Sequence, residues 1–210
     1  MFNLDNRFYS FLNKIVDFLL LNFLWFLFCL PVITIFPATA AMFGVVRSWL
    51  RKEEPSTTKM FFTLFKGNVK HGLILGVVWT LLGSLFMFNV VVGFQMDGPI
   101  KMVLMPFLLI IIILYFYTSI FIFPIMVNYQ LNWLEVIKNS FLFSLGHPLT
   151  SLLGIFILTV VIMLTFIIPI SFLVLSSTAA YFIYYFCGKS FNNVEMNKNL
   201  TLGVNQHIKA

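Results

Sequence analysis

Apolar and polar residues along this chain fall into long separate blocks instead of alternating. Leu149 to Gly188 runs for 40 residues without an Asp, Glu, Lys or Arg, and Pro169 divides it into stretches of 20 and 19. At about 1.5 Å rise per residue this is roughly 60 Å of helix, about twice a bilayer's hydrocarbon thickness. It predicts two transmembrane helices joined by a tight turn. Three further uncharged blocks precede it: Phe18 to Val46, Gly72 to Met96 and Met102 to Trp133. Helix is favoured over strand because the runs exceed 18 residues without period-2 alternation, and because lipid requires each backbone N–H to be satisfied within its own segment. The pattern predicts an all-α, polytopic membrane bundle of about five spans, near 18–36, 72–94, 102–127, 149–168 and 170–188. A basic loop over 47–71 and a short polar tail over 189–210 flank these spans.

The first block is interrupted by Pro31 and Pro37, which cannot donate the helical hydrogen bond their positions require. A first helix is expected to end near Leu30. Thr34, Pro37 and Thr39 would then form an irregular link before a second helix, from Ala38 to about Leu50. A cleaved signal peptide is the rival reading, with Lys14 before an apolar core and Ala38-Thr39-Ala40 as the cleavage site. Against it, Asp5 and Asp17 cancel Arg7 and Lys14, and the apolar stretch before Pro37 exceeds the usual ~7–15 residues of a signal core.

Charge sets the expected orientation. With five spans, the cytoplasmic side holds Arg47, Arg51, Lys52, Lys59, Lys66, Lys70, Lys138, Lys189, Lys198 and Lys209, leaving Arg7, Lys14 and Lys101 outside. If the broken first block is instead a hairpin, Arg7 and Lys14 join the cytoplasmic set and only Lys101 remains outside. The basic loop and the C-terminus face the cytoplasm in both arrangements, consistent with a multi-pass protein of a bacterial cell membrane.

The segment Met60 to Lys70 places aromatic residues at 61, 62 and 65 beside Lys59, Lys66 and Lys70, the pattern of an amphipathic cytoplasmic elbow. Its charges, with Arg47, Arg51 and Lys52, suit anionic lipid at about 1 kcal/mol per basic residue, or a cytoplasmic partner. Trp133 to Phe143 has a similar pattern. Leu64, Phe65 and Gly76 match Leu142, Phe143 and Gly154 at a constant offset of 78, suggesting two related halves and a closing helix. Gly72, Gly76, Thr80 and Ser84, four residues apart, form a small-residue stripe that allows close helix approach within the bundle or between copies.

Composition narrows the function classes. The chain is 60% hydrophobic and 10% charged, with 27 Phe among 210 residues, more than a soluble domain of this size buries. The net charge of +6 therefore reads as membrane orientation, and nucleic acid is not an expected partner. Cys29 and Cys187 both lie in apolar segments and suggest neither a disulfide nor a zinc site. No charged residue lies within a span, which disfavours ion-coupled pumping. The nucleotide, zinc-protease and serine-hydrolase motifs are missing, and His71, His147 and His207 lack acidic or cysteine partners at ligand spacing. No catalytic, cofactor or metal site is expected.

The remaining polar candidates are Asn22, Thr34, Thr39, Thr80, Asn89, Gln95, Asn128 and Gln130, with Trp25, Tyr115 and Tyr117 among them. Amides and hydroxyls beside aromatic rings suit a sugar-like ligand, and equally suit interhelical hydrogen bonds of roughly 0.6 kcal/mol each. Asn22-Phe-Leu-Trp25, then Leu30-Pro-Val-Ile-Thr34, then Pro37-Ala-Thr-Ala-Ala-Met42 resembles the signature of the YesL family, bacterial membrane proteins of unknown function. Length, basic loop and later apolar runs are similar across nearly the whole chain. One departure is Phe36, where relatives tend to have Gly, predicting a less tight link. The resemblance implies association with binding-protein-dependent sugar transporters and carries over no binding residues. Two functions follow as expectations: a non-enzymatic accessory or scaffold subunit in carbohydrate uptake, or a small permease for a neutral solute such as a sugar. The permease would use the broken region of Asn22, Trp25, Pro31, Thr34, Pro37 and Thr39, and would require an open cavity lined by Asn22, Thr34, Thr39 and Asn128.

Overall fold

The computed structural model describes residues 3–53, 56–129 and 131–208, with side chains over 12–53, 56–129, 131–172 and 174–194. All regular structure among them is helical: α1 (Asn3–Cys29), α2 (Ile35–Leu50), α3 (Thr57–Gln95), α4 (Pro99–Asn128), α5 (Trp133–Gly146), α6 (Pro148–Ile167) and α7 (Phe172–Ile208). Short 3-10 turns at Val32–Thr34 and Pro169–Ser171 precede α2 and α7.

Local chemistry accounts for the breaks. Pro31 disfavours helical geometry at Leu30, and α1 stops at Cys29. The Thr34 hydroxyl then donates to the Phe28 carbonyl at 2.6 Å, satisfying an acceptor the helix end leaves open. Pro37 does not break the chain a second time. It sits in the first turn of α2, where its missing N–H has no helical acceptor to lose, so α2 begins at Ile35 and takes in both Pro37 and Thr39. The expected link through Thr39 and helix start at Ala38 are corrected accordingly. At its other end α2 closes with a Schellman motif, in which Lys52 N–H donates to Trp49 O and Glu53 N–H to Ser48 O. Lys52 adopts φ 58 there, a left-handed position usually given to glycine. Gly98 turns α3 into α4 at φ 103, with Pro99 opening the next helix. α5 is opened by a reciprocal capping box between Asn132 and Glu135.

Two expected boundaries differ. The amphipathic stretch over 59–70 is no separate elbow, since α3 runs unbroken from Thr57 to Gln95 with no proline to interrupt it. The second stretch is a separate helix because Pro148 follows His147, ending α5 and opening α6. The backbone of α7 likewise stays helical beyond Gly188, to Ile208.

The helices pair as three antiparallel hairpins. In α1/α2, Phe18 meets Trp49 at a ring distance of 4.8 Å, and Trp25 Nε1 donates to Thr39 Oγ1 at 3.1 Å. In α3/α4, Trp79 Nε1 donates to Ser119 Oγ at 3.0 Å, and Tyr115 OH to the Trp79 carbonyl at 3.1 Å. In α6/α7, the hydroxyls of Thr150 and Ser190 are 3.0 Å apart. α2 lies between the pairs, and Ala38, Ala40, Ala41, Val45 and Val46 on it are fully buried. Phe43 of α2 stacks on Phe123 of α4 at 5.7 Å.

Among the described residues, five helices are long and apolar enough to cross a membrane: α1, α2, α3, α4 and α6. The count agrees with the expected five, with a different division of the chain. The first block supplies two, while the uncharged start of α7, Phe172 to Gly188, is a sixth apolar segment.

Candidate functional site

Three groups of residues stood out in the sequence: the broken segment, the small-residue stripe and the basic residues. The broken segment is closed by its own polar groups. Asn22 is 1% exposed and uses both ends of its amide. Its Nδ2 donates to Phe18 O at 3.0 Å, Val174 O at 3.0 Å and Ser177 Oγ at 2.7 Å, while its Oδ1 accepts from Ser177 N–H at 2.7 Å. This side chain joins α1 to α7. Trp25 is bonded to Thr39, whose hydroxyl donates on to Ile35 O at 2.7 Å. Thr34 is held by Phe28 O and Pro31 O. Pro37 is buried, and Pro31 lies exposed at the hairpin tip.

Asn128 belongs to a different place. Its Oδ1 accepts from Arg51 Nη2 at 3.0 Å and from Tyr184 OH at 3.2 Å. Asn22, Thr34, Thr39 and Asn128 therefore line no common path. Tyr115 stacks on Trp79 at 4.6 Å, and Asn89 donates to Leu85 O within its own helix. Gln130 lies outside the described residues.

The stripe divides in two. A Cβ at Gly72 would stand 3.0 Å from the Pro37 Cα, and one at Gly76 would stand 2.8 Å from the Phe36 ring. Both glycines are buried against α2, and Gly76 makes the room that Phe36 occupies. Thr80 and Ser84 are exposed. Ser84 lines an open, largely apolar groove of about 720 Å³ with Val78, Leu81, Leu82, Leu85 and Phe88. Further close approaches escaped the stripe pattern: Gly83 against the Tyr115 hydroxyl, Gly93 against Leu104 and Met105, and Gly154 against Ile120. Of these, Gly154 was signalled by its offset of 78 from Gly76, and each of the two glycines admits a side chain from the preceding hairpin arm.

The basic residues also separate. Lys59, Lys66 and Lys70 are exposed on α3, and Lys52 is exposed past the end of α2. Arg47 is different. It is half-buried between the buried Val46 and Ser48, and its Nε is shielded from solvent with no hydrogen-bond partner. A buried polar group left unpaired costs about 1–3 kcal/mol, more for a charged one. Arg51 stands one turn further along the same face, and both guanidinium groups lie within electrostatic reach of the Tyr184 hydroxyl. Tyr184 is 5% exposed, so α2, α4 and α7 converge here. Among the described residues, no ion pair neutralises either arginine; Asp17 accepts instead from Thr57 Oγ1 at 2.7 Å. Tyr184 was missed in the sequence because nothing distinguishes it from the neighbouring Tyr181 and Tyr185.

The segment carrying most of these features is also the one with recognisable relatives. Residues 18–90 match the family model described as "Protein of unknown function, DUF624". The chain is 32% identical over 138 residues to "Uncharacterized protein YesL" of Bacillus subtilis (strain 168), a match covering 63% of this chain and 64% of that protein. The chain is similar to the YesL family in this region. A second Bacillus subtilis relative, "Uncharacterized protein YteU", is 28% identical over 148 residues, covering 67% of this chain and 65% of its own length. The chain thus spans slightly less than two thirds of both proteins. No solved structure matches it. Within the residues matched by the family model lie the broken segment, α2, the stripe and Arg47 and Arg51, whereas Asn128, Ser177 and Tyr184 fall beyond its end.

Proposed function

We propose that this chain is an integral membrane protein that serves as a non-enzymatic accessory or scaffold subunit, with the basic ends of its hairpins in the cytoplasm. Phe166 at 86%, Met102 at 81% and Ile170 at 75% exposure are supported by a lipid surround, since water would leave these side chains unsheltered. The three-hairpin arrangement favours the stronger charge bias. Of the 13 Lys and Arg, only Lys101 lies near a hairpin tip at Leu30–Thr34, Gln95–Lys101 or Ile168–Ser171. A cysteine at position 98 reacting with an impermeant thiol reagent only from the cytoplasmic side would overturn this orientation.

The observation that carries the accessory reading is the state of the broken segment. Asn22, Trp25, Thr34 and Thr39 spend their hydrogen bonds on neighbouring helices, which suits packing and leaves a permease no polar lining there. The link to carbohydrate uptake rests on the family resemblance alone. Purification from native membranes in mild detergent tests it. A stoichiometric binding-protein-dependent sugar transporter is the expected companion, and a homo-oligomer free of transporter would sink the proposal.

A further inference from the structure

The unneutralised arginines at the junction of α2, α4 and α7 carry an inference that is independent of the accessory role. We propose that Arg47 and Arg51, backed by Asn128 and Tyr184, form a binding site for a phosphate-bearing anion. Three observations point the same way. The Arg47 Nε is buried in the bundle without an acceptor, so the site holds a donor that nothing in the described chain satisfies. Arg51, its neighbour one turn on, finds only the neutral amide oxygen of Asn128 at 3.0 Å, an acceptor it shares with the Tyr184 hydroxyl at 3.2 Å. Arg47 and Arg51, four residues apart at the end of α2, therefore bring two positive charges toward Tyr184 with no carboxylate paired to either among the described residues.

The residue type matters as much as the charge. A guanidinium offers donors in a planar fork that matches two oxygens of a phosphate, and it remains charged when partly buried. Lys59, Lys66 and Lys70 are exposed on α3 and lack the fork, so they attract anions diffusely, whereas Arg47 is half-buried and the exposed Arg51 is tethered through Asn128. Asn128 and Tyr184 hold Arg51 in place and close the inner side of the site. The last turn of α2 adds a partial negative charge from its carbonyls, which favours Arg47 without meeting the geometry of its Nε–H. An anion with several acceptor oxygens would meet that geometry and relieve the mutual repulsion of the two arginines. Basic pockets between helices at the cytoplasmic surface commonly hold lipid headgroups. A free phosphate group presents the same oxygens.

The full chain in detergent is titrated with inorganic phosphate and, separately, with phosphatidylglycerol in mixed micelles, following the thermal unfolding midpoint at constant ionic strength. The expected result is a saturable rise with at least one probe. Apparent affinity should weaken about tenfold or more in Arg47→Gln and in Arg51→Gln. The double variant Lys59→Gln/Lys66→Gln should stay within about twofold of the parent, because those charges lie outside the site. A response to phosphate assigns a free anion, and a response to phosphatidylglycerol alone assigns a headgroup; either supports the site. If Arg47→Gln does not fold, Arg47→Lys replaces it, keeping the charge and removing the fork, with the same loss expected. No saturable response to either probe, or equal responses in the parent and the arginine variants, would overturn the proposal.

Discussion

α2 and α6 are both apolar helices of fewer than 21 residues, yet 56% of the α2 segment is buried in the bundle against 11% of α6. In a water-soluble domain the more hydropathic helix would be the buried one. Here the order is reversed: α2 is the least hydropathic of the five candidate spans, and α6 is among the most. The proposed membrane setting accounts for this, since lipid tails shelter Leu, Ile and Phe as well as a protein core does, so burial of these residues within the bundle gains little. What the interior offers and lipid does not is close backbone approach and hydrogen bonding. α2 is accordingly built from Ala38, Thr39, Ala40, Ala41, Gly44 and Ser48, whereas α6 shows Leu149, Phe156, Ile162, Met163 and Phe166 to the outside.

The substitution that breaks this contrast most severely is Gly72→Leu. Its Cβ alone would stand 3.0 Å from the backbone of Pro37, which cannot swing aside as a flexible side chain can. Overpacking of this kind costs about 1–3 kcal/mol, and the upper end is expected because α2 is held on its other faces by α1, α4 and α7. Unfolding in mixed detergent measures it. A variant as stable as the parent would mean that α2 is not the tightly packed centre.

Asn22→Leu comes next and tests the bond between the first and third hairpins. It removes three contacts to α7 while filling a similar volume with an apolar side chain. Interhelical bonds in bilayers average roughly 0.6 kcal/mol each, which predicts a loss of about 1–2 kcal/mol. The same variant separates the two functional readings. Were Asn22 part of a solute path, uptake would fall in a protein of unchanged stability; as a helix clasp, stability falls first.

The sequence made the block pattern, the family resemblance and the all-helical class legible, because runs of 18 or more uncharged residues have few folded solutions. It did not reveal which helix is central. Hydrophobicity reports a preference for lipid or core without distinguishing them, and α2 looked like the second half of a broken span. Pro31 and Pro37 seemed alike, yet only Pro31 stops a helix, since Pro37 falls within a first turn. The small-residue stripe is the sharpest case. Gly72 and Gly76 face α2 while Thr80 and Ser84 face outward, because α3 continues past the start of α2 and its later residues meet α4 instead through Trp79, Gly83 and Gly93. Residues missed altogether, Tyr184 above all, depend on a junction of three helices far apart in the chain.

Ser84→Leu places the same leucine three turns along the stripe from Gly72 and should have the smallest effect. Ser84 is exposed, and its hydroxyl donates only to Leu81 O in its own helix at 2.9 Å. A leucine there adds apolar surface to a groove already lined by Val78, Leu81, Leu85 and Phe88, and meets no backbone. The expected change in unfolding free energy is below about 0.5 kcal/mol. Cross-linking in native membranes supplies the second readout. If monomer stability holds but a cross-linked dimer disappears, the outer half of the stripe is a contact between copies, and the contrast between buried and lipid-facing positions ends at Gly76. If neither changes, the groove faces lipid along its length, and α3 is a helix whose first half packs as α2 does and whose second half is covered as α6 is.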